Sequence, residues 1–91
     1  MSIEIVHEPA ATRFVAEVEG QDCVVEYQLS GNTMTITHTG VPASLGGRGI
    51  AGQLARFALD EARAKGWKVV PACSYVQAWI EKHPDYQDLL V

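Results

Sequence analysis

A chain of 91 residues has room for one hydrophobic core and not two, so one domain spanning residues 1–91 is expected. An apolar share of 47% beside 20% charged residues lies far from the sparse, highly charged composition that keeps chains disordered. Eleven acidic residues against seven basic leave a net charge of -4, which weighs against a nucleic acid as partner and leaves a cationic or amine-bearing one open.

The first forty residues alternate in the manner of half-buried strands. Ile3 and Ile5, then Phe14, Ala16 and Val18, then Cys23, Val25, Tyr27 and Leu29, then Met34 and Ile36 fall on every second position. Glu19, Gly20, Gln21 and Asp22 separate the second run from the third, and Ser30, Gly31 and Asn32 the third from the fourth; both suit tight hairpins. A four-stranded antiparallel meander is expected.

After Gly40 the period changes. Ile50, Ala51, Leu54, Ala55, Ala58, Leu59 and Ala62 recur at steps of three and four, predicting one long helix over 49–65 with Gly66 as its cap. Arg56 with Asp60, and Glu61 with Lys65, stand four apart on its polar side. Lys68, Val69, Val70 and Pro71 read as a fifth strand, parallel to the fourth because a helix joins them. Ser74 with Gln77 has the spacing of a capping box and predicts a short helix over 75–82, stopped by His83 and Pro84.

Cys23 and Cys73 lie far apart with no CxxC spacing and no neighbouring cluster of His and acidic residues, so no metal site is expected. The start, MSIEIVHEPAATRFV, lacks a basic segment followed by an apolar one, and no run approaches the roughly 18 apolar residues of a membrane span. No membrane partner is expected, and a cytoplasmic location with reduced thiols is the expectation that follows.

Chemistry concentrates in VPASLGGRGIA, residues 41–51, between a strand and the long helix. Gly46, Gly47 and Gly49 let the backbone turn tightly and approach a ligand, and the helix start offers amide donors with a favourable dipole, which suits a phosphate or pyrophosphate. Arg48 adds positive charge, and residues 48–68 alone hold more basic side chains, five, than acidic, two. The same pattern also fits a plain glycine-rich turn, since it is neither GxGxxG nor GxxxxGK(S/T).

The runs HTGVPASLGGRGIAGQL and VVPACSYVQAWIEKHPDY resemble the short, single-domain branch of the GCN5-related N-acetyltransferases, closely over residues 32–91 and in pattern only before them. The resemblance implies a mixed α/β acetyltransferase-like fold and acyl transfer from acetyl-coenzyme A to an amine. Its RxxGx(G/A) loop falls on Gly46, Gly47, Arg48, Gly49, Ile50 and Ala51, whose amides would cradle the pyrophosphate. Gly46 stands where the family usually has Arg or Gln, so weaker binding is expected. The pantetheine arm would run beside Thr39, Gly40 and Val41, where backbone hydrogen bonding suits the thioester carbonyl. The chain has no room for the N-terminal helices that shape the family's acceptor pocket, so a small amine, a polyamine and a protein amine all remain open as acceptors.

Three side chains are candidates for catalysis. Cys73 precedes a helix start that lowers a thiol pKa, and is either a nucleophile or an inert, packed thiol. Tyr75 is either a general acid toward the departing thiolate, a role the larger family often gives a tyrosine in this region, or a packed aromatic. His38 shares the alternation of Met34 and Ile36 and is expected on the covered face as a core histidine or, if the strand bulges before Gly40, in the cleft as a general base. His7 and His83 need no function. The rival reading is a binding module of the same fold that holds acyl-coenzyme A or a protein without turnover.

Overall fold

The computed structural model describes residues 3–91. Met1 and Ser2, the start of the stretch inspected for a leader, lie outside the described residues. The strands are β1 (Val6–Glu8), β2 (Arg13–Val18), β3 (Gln21–Ser30), β4 (Thr33–Gly40) and β5 (Lys68–Pro71), in the spatial order β1-β2-β3-β4-β5. Neighbours are antiparallel except β4 and β5, which run parallel and are joined by α1 (Ile50–Lys65); α2 (Ser74–Glu81) and a 3-10 segment (Pro84–Leu89) follow.

One face of the sheet carries the core. Phe14, Ala16, Cys23, Val25, Tyr27, Met34 and Ile36 are buried with Leu54, Ala55, Ala58, Leu59 and Ala62 of α1, and the three alanines let the helix lie close to the strands. Val15, Val24, Glu26 and Thr35 point the other way and are half-buried or exposed. The alternation in the sequence is the imprint of this one-sided burial.

The first strand lies further along than Ile3 and Ile5. A 3-10 turn at Pro9–Ala11, closed by Thr12 at φ 49, sets the register Val6↔Val15 to Glu8↔Arg13, and Ile3 and Ile5 pack against the core ahead of the strand. His7 has a structural place there: its ring stacks on Phe14 at 4.2 Å, and Nε2 lies 2.6 Å from the Tyr27 hydroxyl. His83 stacks on Trp79 at 3.7 Å.

Two further corrections concern local geometry. β3 and β4 slip by one residue between Glu26 and Tyr27: Tyr27 faces Ile36 but Glu26 faces His38, and Thr37 is the extra residue. At α2 the capping box does not form: Ser74 is already helical, the N-cap is Cys73, and no side chain caps the helix. The helix starts one residue earlier than expected because the extended Cys73 (φ -82) comes directly before it. The C-cap of α1 is as expected, with Gly66 at φ 74 and its amide donating to the Ala62 and Arg63 carbonyls. At the far edge, Leu90 bridges Val69 and partly covers β5.

Leu45 anchors the β4–α1 connection, being 1% exposed at the end of the 3-10 turn Ala43–Leu45. Leu45→Ala is expected to remove about 2–5 kcal/mol of stability, seen as a lower urea midpoint at unchanged slope.

Candidate functional site

The site begins where β4 and β5 part. Their pairing ends at Ile36↔Pro71, β5 stops, and β4 continues to Gly40 paired only with β3; beyond Pro71, the Cys73 amide still donates to the Ile36 carbonyl at 3.0 Å. Past that bond the two segments are no longer backbone-paired, which leaves a gap in the sheet between them. The bulge decides which side chain faces it: with Thr37 extra, Thr39 pairs with fully buried Val25 and turns to the covered side. Its hydroxyl meets the Cys73 thiol at 3.5 Å.

The bulge equally sends His38 outward. It is exposed opposite Glu26, and a Cβ placed on Gly40 would fall 2.9 Å from its Nε2, so the ring lies over Gly40 on the open face of the sheet. The expectation of a covered-face or cleft histidine is thus corrected, and His38 stands apart from the Thr39–Cys73 pair.

Cys73 occupies the position that would have held a capping hydroxyl. Burial opposes ionisation of its thiol, but the Thr39 hydroxyl and the backbone of Val76, Tyr75 and Thr39 hydrogen-bond the sulfur and together hold it below the usual thiol range. Cys23, fully buried on β3, is shifted upward by desolvation, with Asp22 adding to it. Iodoacetamide is therefore expected to alkylate Cys73 well before Cys23. Because the Cys73 pKa is lowered, its rate should reach half-maximum at a lower pH than that of an ordinary free thiol, which a pH series followed by peptide mass spectrometry checks.

The glycine loop lies upstream of α1. Leu45 and Ile50 are both buried, so residues 46–49 form an exposed arc pinned at its two ends. Gly47 (φ 80) and Gly49 (φ 78) adopt the left-handed region that side chains avoid, and Gly49 is the N-cap. No side chain caps α1, its first turn holds no acidic residue, and the amides of Ile50, Ala51 and Gly52 have no intrahelical acceptor. That is the arrangement which receives an anion. Gly46 differs: at φ -63 its dihedral suits any residue, but a Cβ there would lie 3.3 Å from the Ala43 carbonyl oxygen, a tight contact with backbone.

Gly52, on the first turn of α1, lets α2 approach. A Cβ there would lie 3.4 Å from Trp79 Nε1 and 3.6 Å from the Tyr75 hydroxyl. Tyr75 thus spans from beside Cys73 to the start of α1, and burial pushes its pKa upward, keeping it a proton donor. A groove of about 390 Å³ is lined by Gly49, Gly52, Gln53, Arg56, Trp79 and His83. Arg56 and Asp60, expected as a simple helix pair, are linked through Tyr86: Arg56 donates to its hydroxyl at 3.1 Å, and the hydroxyl donates to Asp60 at 2.6 Å. Glu61 and Lys65 do pair, at 3.7 Å.

A family model for the GCN5-related N-acetyl-transferases matches residues 13–89. The chain belongs to the GCN5-related N-acetyltransferase family. Protein NATD1 of Xenopus tropicalis is 31% identical over 86 residues, spanning 91% of this chain and 79% of that protein. Its human counterpart is 31% identical over 85 residues, 90% of this chain and 75% of that one. A solution NMR structure of a GCN5-like candidate N-acetyltransferase from Staphylococcus aureus superposes with a TM-score of 0.78 at 28% identity, covering 100% of this chain and 91% of that one.

Within this acetyltransferase fold, residues 46–51 gather at the start of α1, Thr39 meets Cys73, and the Tyr75 hydroxyl reaches the first turn of α1. Gly40 ends β4, and Val41 packs partly buried just beyond it. Sequence reasoning missed the partners of Glu19, in the β2–β3 turn, and of Gln21, the first residue of β3. Glu19 pairs with Arg48, and Gln21 Nε2 donates to Ser44 Oγ at 2.9 Å. Nothing in the local sequence marks pairs separated by more than twenty residues.

Proposed function

We propose that this protein transfers an acetyl group from acetyl-coenzyme A to a primary amine. The observation that carries the reading is the parting of β4 from β5 next to an uncapped, glycine-rich helix start, with the Thr39–Cys73 contact across the gap. The exposed arc of residues 46–49 and the amides of Ile50 and Ala51 would receive the diphosphate, with Arg48 adding charge. The pantetheine arm would follow Thr39, Gly40 and Val41 into the gap, with the thioester near Cys73. The free amine attacks the carbonyl carbon, the tetrahedral oxyanion is met by backbone donors, and the carbon–sulfur bond breaks. The Tyr75 hydroxyl supplies the proton that the departing thiolate takes up, and the new amide nitrogen loses one to solvent. Holding both reactants in one gap supplies much of the rate.

The lowered pKa of Cys73 supports a second route. Its thiolate would attack the thioester and release coenzyme A, and the amine would then take the acetyl group from sulfur. Amine-dependent release of coenzyme A across a panel of small amines, polyamines and lysine peptides tests the function. Release that rises with amine supports transfer, and tight binding without release identifies a binding module. An added acetyl mass on Cys73 before amine is supplied marks the second route.

A further inference from the structure

The ion pair between Arg48 and Glu19 is the feature of the loop that acyl transfer does not explain. Arg48 is the one Lys or Arg between Arg13 and Arg56, and it lies in the arc before α1. Its partner comes from 29 residues away, at the tip of the β2–β3 hairpin. Glu19 is held there at φ 53, and among the described residues Thr12 is the other non-glycine with positive φ. A side chain disfavours that region, and Asn, Asp or Gly more often fill such a turn position. The same hairpin grips the loop a second time through Gln21 and Ser44. A carboxylate on a guanidinium occupies the geometry that a phosphate would take, since Arg presents the same donor fork to either anion.

We infer that Glu19 is a built-in competitor for the ligand's diphosphate: its carboxylate holds Arg48 in the free protein and must be exchanged for phosphate on binding, so Glu19 sets how tightly acyl-coenzyme A is held. The inference rests on the acyl-coenzyme A reading of the loop. No covalent step is involved; the exchange costs one ion pair and forms another, and the released carboxylate returns to water. Loop and hairpin are thereby coupled, since Arg48 cannot serve both anions at full strength.

The test measures coenzyme A affinity by calorimetry for the parent chain, Glu19→Gln and Glu17→Gln, each also carrying Arg48→Ala. Glu17 lies exposed on β2 opposite Asp22, so its variant changes the net charge equally without touching Arg48. Glu19→Gln should tighten binding about three- to fivefold, the size of an exposed ion pair, while Glu17→Gln changes it less than about 1.5-fold. The gain from Glu19→Gln should vanish in the Arg48→Ala background, as a double-mutant cycle requires. Glu19→Gly, which suits the positive φ, should act in the same direction and guards against a hairpin defect. Unchanged or weaker binding by Glu19→Gln, or a gain equal to that of Glu17→Gln, overturns the inference while leaving the acyl-coenzyme A reading in place. Absence of binding by every chain at millimolar coenzyme A overturns both.

Discussion

Gly49→Val should weaken coenzyme A binding about 10- to 100-fold, the equivalent of the 1–3 kcal/mol that a non-glycine residue pays in a disfavoured backbone region. No atom lies within 4 Å of a Cβ placed at Gly49, so the Cβ itself meets no neighbour. The cost lies in φ, which at 78 is open to glycine and closed to a β-branched residue. The chain must either carry the strain or rotate Gly49 out of the left-handed region. Rotation would turn the loop amides away from the axis of α1, where the dipole assists an anion. Ile50 is buried and holds the helix start in place, so the change should stay within the arc. Calorimetry with coenzyme A checks the affinity, and urea unfolding should show a loss of about 1–3 kcal/mol at most. Affinity within twofold of the parent would remove Gly49 from the binding loop.

Tyr75→Phe should lower kcat about 100-fold, the lower range for loss of a positioned general acid, and leave the KM for acetyl-coenzyme A within about twofold. The substitution removes one oxygen, the atom that reaches Gly52 on the first turn of α1, and keeps the ring. Burial raises the Tyr75 pKa, so the hydroxyl keeps its proton through neutral pH and past the roughly pH 10 at which a free tyrosine ionises. Acid catalysis by Tyr75 is therefore present below that range and lost above it. The parent should show a falling alkaline limb that the Phe variant lacks. An unchanged rate and pH profile would mean that the thiolate departs without help from Tyr75.

The fold was legible in the sequence wherever burial is one-sided. Phe14, Ala16, Cys23, Val25 and Tyr27 alternate because only one face of β2 and β3 meets α1, and the three- and four-step apolar spacing of α1 records the same contact from the helix side. The parallel pairing of β5 with β4 followed from the intervening helix. His38 was misplaced because parity counting assumes one residue per step, and the extra Thr37 inverts every side chain after it. That inversion also turns Thr39 toward Cys73, which parity alone would have sent to the open face. The Ser74 capping box failed for a related reason: a capping hydroxyl must precede the helix, and Ser74 lies inside it.

Distance in sequence hid the rest. Gly46, Gly47 and Gly49 announced a tight turn, and of the three Gly47 and Gly49 adopt positive φ while Gly46 does not. The tie of Arg48 to Glu19, of Ser44 to Gln21, and of Arg56 to Asp60 through Tyr86 all bridge segments that only the completed sheet and helix packing bring together. In each case the residue types are ordinary surface polar groups, and their partners follow from tertiary packing alone.

The most direct test of the account is a titration of isotopically labelled protein with acetyl-coenzyme A, following backbone amide shifts by NMR. Saturable shifts concentrated in residues 39–51 and 73–75, with the outer-face amides of β2 and β3 unmoved, are the predicted result. Shifts absent at millimolar ligand, or confined to another part of the surface, would contradict an acyl-coenzyme A site between β4, α1 and α2.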